Sequence, residues 1–215
     1  MNRFLGEVHR QDLLQLLPTS FFAYSYPPAF LAILDTLAQE QGKDIWLEKT
    51  PDHIYYLSYI ERCIPNAKFI HIWRSGNDVV ASLYEVTHKY PRAWGGAWDL
   101  DFCLAQWQRA IEISMRRNKH KNHCIICYEE LVKRPESILV QLCEFIEVEF
   151  TPSMLEEYSK AAENLSMETA GRYVRSVIQQ PNSEKFYRVF DEQQQRYVRD
   201  RVAQIDVTPL MNCSL

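Results

Sequence analysis

Apolar positions along the chain alternate between two periods. From Pro27 to Gln41, Phe30, Leu31, Leu34, Leu37 and Ala38 recur at helical spacing, and Gly42 follows as a stop. Asp44 to Glu48 (DIWLE) reads as a short strand running into Thr50-Pro51-Asp52, where threonine can cap a helix, proline can open it and aspartate suits its first turn. That helix, through IYYLSYIERC, ends before Pro65. Ala67 to Trp73 (AKFIHIW) reads as a strand, followed by the helix DVVASLYEVTHKY with Asn77 or Asp78 as its cap.

Pro91 to Asp99, rich in tryptophan and glycine, reads as a loop before a helix over Asp101 to Arg117, with Leu104, Trp107, Ala110, Ile111 and Ser114 on one side. A third strand over His123 to Tyr128 leads into two helical pieces broken around Pro135, and a further helix is expected from Pro152 to about Asn164. Gly171 to Arg188 is irregular and polar, and Asp191 to Ala203 closes the chain as a helix. Strands alternating with helices predict an α/β fold in three layers, a parallel sheet flanked by helices, in one domain over residues 1–215.

Composition narrows this only slightly. With 47% apolar and 24% charged residues the chain is an ordinary globular one, and its net charge of −4 gives no global attraction to nucleic acid or anionic membrane. Phosphate recognition would therefore need a local basic cluster. No apolar run reaches membrane-spanning length and the first residues lack a signal-like apolar core, so the expected compartment is the cytoplasm. Cys124 and Cys127 have metal-like spacing, but three residues apart on a strand they point to opposite faces, which argues for core thiols.

In a parallel sheet, ligands bind beyond the carboxyl ends of the strands, where helix N-termini present free N–H groups. Two strand ends carry suitable cations: Lys49, ahead of the Thr50 cap, and Arg74, with Ser82 on the helix that follows. An edge built this way would hold a phosphate-like anion. A strand-end arginine also serves as a carboxylate partner, and a helical serine as a small packing residue.

Read in order, Trp46-Leu-Glu-Lys49-Thr-Pro51, Ile64-Pro65-Asn66-Ala67-Lys68-Phe69, Arg74 with Ser82 eight residues on, and Tyr128-Glu129-Glu130-Leu131 with Pro135-Glu136 resemble the sulfotransferases that use 3′-phosphoadenosine 5′-phosphosulfate (PAPS), both the bacterial-type and the tyrosylprotein branches. The resemblance implies a P-loop-NTPase-like sheet and transfer of a sulfuryl group from PAPS to a hydroxyl acceptor, releasing PAP, with no metal. It gives Arg74 and Ser82 the 3′-phosphate, with Tyr128 beside it, and Lys49 the phosphosulfate bridge, where a fixed cation favours the leaving phosphate. Glu7, in the pair Gly6-Glu7, is the candidate base, with His9 second. Arg175, Ser176 and Lys185 fall where the family folds a polar segment over the nucleotide. The aromatic stretches Phe21 to Tyr26 and Tyr90 to Trp98 are candidates for the acceptor side, or for core packing.

Two departures stand out. Ser75-Gly76 replaces the usual Asp or Asn followed by Pro, a mild change because glycine permits a tight turn. The family's first strand and its Arg-Ser-Gly-Thr-Thr loop are not found ahead of Gly6-Glu7, so the expectation is an N-terminally shortened enzyme, or else an inactive nucleotide-binding module that lost the 5′-phosphosulfate loop. A nucleotide kinase would need a glycine-rich loop ending in Gly-Lys-Ser/Thr, and no such run occurs.

Overall fold

The computed structural model describes residues 5–6, 9–18, 26–158 and 184–211. The chain forms two compact units, Met1–Ala67 and Lys68–Leu215.

In the N-terminal unit, a 3₁₀ turn over Gln11–Leu16 and helix α1 (Tyr26–Glu40) share a small core of Leu5, Leu13 and Ile33, with Leu14, Leu17 and Leu37 against it. Arg10 joins the two elements by pairing with both Asp12 and Glu40, and this holds its guanidinium above its ordinary pKa. A second 3₁₀ turn, Pro51–Tyr56, continues into α2 (Leu57–Cys63).

The strand expected at Asp44 to Glu48 does not form. Those residues have no ladder partner, and Ile45 and Leu47 are 58% and 77% exposed, so their apolar character reflects no burial. The segment is tied by side chains instead: Trp46 Nε1 donates to Asp35 Oδ1 at 2.9 Å, and His53 Nδ1 lies 2.6 Å from Glu48 Oε2. Thr50 occupies the N-cap position but caps nothing, because its hydroxyl donates to Glu48 Oε1 at 2.6 Å.

The C-terminal unit carries the sheet. Strands β1 (Phe69–Trp73) and β2 (His123–Cys127) pair in parallel, with Phe69 opposite His123 and Trp73 opposite Cys127. Both were legible as apolar runs ahead of turn residues. Helices α3 (Gly76–Lys89) and α4 (Leu100–Arg117) lie between them in the chain, and α5 (Tyr128–Lys133), α6 (Pro135–Ile146), α7 (Glu184–Val189) and α8 (Glu192–Ala203) follow. Pro135 splits α5 from α6 as expected, since proline is tolerated in a first helical turn and not in an interior. Helix α7 replaces the irregular segment expected up to Arg188, because Phe186 and Phe190 are buried in the core. The rest of that segment, and residues 159–164 of the helix expected from Pro152, lie outside the described residues; before them only Ser153–Glu156 is helical.

One core joins these elements: Trp73 from β1, Val80 and Ala81 from α3, Cys103, Leu104, Trp107 and Ile111 from α4, Ile125 from β2, and Phe186, Phe190, Val198 and Leu210 from the C-terminal helices. Two buried histidines are satisfied beside it: His71 Nε2 lies 2.9 Å from His123 Nδ1 across the strands, and His71 Nδ1 lies 3.0 Å from Ser114 Oγ. One of the two facing ring nitrogens must carry a hydrogen and the other must lack it. Cys63, Cys103, Cys124, Cys127 and Cys143 are free thiols. Among the described residues no helix is long and apolar enough to cross a membrane.

Gly76 opens α3, and its requirement is packing and not an unusual turn. A Cβ there would meet Val202 Cγ2 at 2.7 Å and the Trp107 ring at 2.9 Å, so α3, α4 and α8 meet at this residue. Gly76→Ala is expected to lower unfolding stability by about 1–3 kcal/mol through overpacking. Urea denaturation should show a lower midpoint with an unchanged slope.

Candidate anion site at the start of helix α3

Arg74 and Ser75 are the two residues that connect β1 to α3. Three contacts hold the arginine. Its Nη2 donates to Asp78 Oδ2 at 2.8 Å, its guanidinium lies 4.7 Å over the Tyr128 ring, and its backbone carbonyl accepts from Trp107 Nε1 at 3.1 Å. Asp78 is 5% exposed and Arg74 35%, so the pair sits at the boundary between the core and solvent. A carboxylate in the first turn of a helix is also favoured by the helix dipole.

Asp78 therefore orients Arg74 and does not cap the helix. Neither Asn77 nor Asp78 occupies the cap position expected for them. Ser75 does, without a side-chain bond, and its backbone N–H donates to Glu129 Oε1 at 2.9 Å. The other oxygen of Glu129 accepts from the Cys127 thiol at 3.2 Å. Burial, with Glu129 beside it, pushes that thiol above its usual pKa.

Spacing of four sets Arg74, just ahead of α3, in one row with Asp78 and Ser82 on the helix. At its far end Lys185 Nζ, from α7, lies 3.5 Å from Ser82 Oγ and 3.1 Å from Glu85 Oε2, while Arg188 Nη2 lies 2.6 Å from Glu85 Oε1. The sequence-predicted residues thus gather as two pairs along one helix, Arg74 with Tyr128 and Ser82 with Lys185. Lys49 lies in the N-terminal unit, on the segment that forms no strand. His9, also there, is exposed with a left-handed φ of 55°. Glu7, Arg175 and Ser176 lie outside the described residues.

Three cations in this row face two carboxylates, which leaves room for an anion's charge. Arg74 Nε is buried without a partner, a donor that an oxyanion would satisfy. Asn77 Oδ1 and Asp78 Oδ1 are buried acceptors without partners and call for a donor. On another face of α3 an open cleft of about 470 Å³ is lined by Tyr84, His88, Trp98, Asp99, Asp101 and Tyr197. It includes the end of the expected Tyr90–Trp98 loop, within which Pro91–Trp94 forms a single helical turn.

A family model described as "Sulfotransferase family" matches residues 3–152. The chain belongs to the sulfotransferase family. Its matched region holds Lys49, Arg74, Ser82 and Tyr128, whereas Lys185 lies beyond it. The Drosophila melanogaster protein-tyrosine sulfotransferase is 26% identical over 160 residues, 72% of this chain and 31% of its own length. Protein-tyrosine sulfotransferase 2 of Gallus gallus is 28% identical over 161 residues, 71% of this chain and 42% of its own. A Caenorhabditis elegans relative is 26% identical and is spanned over 60% of its length, so the chain covers less than two thirds of each of these relatives. Among solved structures, the sulfotransferase domain from the curacin biosynthetic pathway matches with a TM-score of 0.58 over 80% of this chain and 67% of that domain. At 18% identity this shows a shared α/β sulfotransferase fold, here mostly helical around a small parallel sheet.

The thiols near the site should be inert in the folded protein. Cys103, buried and near Asp99, is pushed up to about 12 and stays protonated at pH 8.5, and burial shifts Cys127 in the same direction. Iodoacetamide labelling followed by peptide mass spectrometry should modify these two slowly in buffer and fully in urea.

Proposed function

We propose that the row along α3 is the 3′-phosphate site of a PAPS-dependent sulfotransferase. The observation that carries this reading is Arg74, fixed by Asp78 and Tyr128 with a buried donor unspent, ahead of Ser82 on α3, which Lys185 reaches from α7. Arg74 and Ser82 bind the nucleotide's 3′-phosphate, Tyr128 keeps the guanidinium plane aligned, and Lys185 adds charge at the far end.

The reaction passes the sulfuryl group in line from the phosphosulfate of PAPS to an acceptor hydroxyl oxygen. One S–O bond forms, the bond to the bridging oxygen breaks, and the hydroxyl proton goes to a base. Lys49 is assigned to the bridging oxygen, where it offsets the negative charge that builds on the departing phosphate. Glu7 is assigned as the base. No metal takes part. A tyrosyl hydroxyl is the first acceptor to test, given the relatives named protein-tyrosine sulfotransferase.

Calorimetric titration with PAP tests the site. Wild type should bind in the micromolar range, Arg74→Ala should lose about tenfold to a hundredfold, and Ser82→Ala about threefold to tenfold. Transfer of radiolabelled sulfate from PAPS to tyrosine-containing peptides should fall with Lys49→Ala while PAP affinity changes little. No binding at high micromolar PAP by folded protein would remove the proposal. Binding with no transfer to any acceptor would leave an inactive nucleotide-binding module.

A further inference from the structure

We propose that Glu129 is the positioning residue of the anion site, supplying to the Ser75 N–H at the start of α3 the acceptor that a capping box would draw from the helix's own third residue. In a capping box the N-cap side chain accepts from the N–H of the third helical residue, whose own side chain accepts from the N-cap N–H. This chain has a complete example: at α8, Asp191 Oδ1 accepts from Gln194 N at 2.8 Å and Gln194 Oε1 accepts from Asp191 N at 3.2 Å.

At α3 the N-cap is Ser75 and the third helical residue is Asp78, a residue type able to fill the second role. It does not fill that role: the carboxylate is turned to Arg74 Nη2 through Oδ2, and Oδ1 takes no hydrogen bond from the Ser75 N–H. The Ser75 N–H is instead taken up by Glu129, 54 residues away in sequence, on the turn that opens α5. Supplying the acceptor from another element frees Asp78 to aim the arginine. It also fastens the β1–α3 connection to the end of β2, where the same carboxylate takes the Cys127 thiol hydrogen. Tyr128 and Glu129 thus grip Arg74 and Ser75 residue for residue, one by a ring face and one by a hydrogen bond.

The role of Glu129 is geometric and touches no substrate. It rests on the PAP reading only for its effect on affinity, and the backbone contact is tested separately. Two variants decide it: Glu129→Gln keeps an acceptor oxygen for Ser75 N–H, and Glu129→Ala removes it. The Ser75 amide proton resonance in ¹H–¹⁵N spectra should move upfield in Glu129→Ala and stay near its wild-type position in Glu129→Gln. PAP affinity should fall about tenfold or more in Glu129→Ala, and Glu129→Gln should restore it to within about threefold.

An unmoved Ser75 amide in folded Glu129→Ala would overturn the contact. Wild-type PAP affinity in Glu129→Ala, or an equal loss in Glu129→Gln, would overturn the positioning role. If wild type binds no PAP, the functional reading fails while the Ser75 amide still decides the contact.

Discussion

The ion pair between Arg74 and Asp78 is the constraint around which the C-terminal unit is organised. Its carboxylate is almost fully buried, and a buried charge is tolerable only when paired and hydrogen-bonded. The pair therefore has to sit where β1 meets the first turn of α3, next to the core but open on one side. Trp107 from α4 holds the backbone at the same residue, and Tyr128 from the end of β2 lies against the guanidinium. Strand pairing and helix packing thus converge on one cation.

That convergence explains why a glycine opens α3. Proline would also suit the first helical position, but the indole of Trp107 and the methyl of Val202 occupy the space a side chain would need. The bulky indole fills the core and reaches back to the Arg74 carbonyl, and the smallest residue accommodates it. Local turn geometry, the reason that the sequence suggests, is a lesser factor than contact between helices.

Much of this was legible in the sequence. β1 and β2 are apolar runs ending in turn residues, and α4 and α8 announce themselves by period, whereas their caps at Asp99 and Asp191 show only in the structure. Arg74 and Ser82 could be singled out because eight residues along a helix return to nearly the same side. The failures share a cause. Asp44 to Glu48 has strand-like composition but no neighbouring strand among the described residues, and composition does not encode partners. Thr50 and Asp78 are good caps by residue type, yet each is taken by a nearer charged group, Glu48 in one case and Arg74 in the other. Glu129 stands in plain view inside Tyr-Glu-Glu-Leu, but nothing local in the sequence ties it to Ser75, 54 residues away.

The passage from β2 to α5 contains no loop at all, since Cys127 ends the strand and Tyr128 begins the helix. Side chains at such a junction inherit their directions from the strand, with no intervening residues to absorb a change. The connection from α3 to α4, with its helical turn and two left-handed glycines, is of the opposite kind. Length variation can accumulate there without disturbing the sheet, whereas one residue inserted after Cys127 would rotate the aromatic ring and the carboxylate away together. Within this fold, then, the freedom to diverge is confined to the helical side, and the strand ends must keep their count.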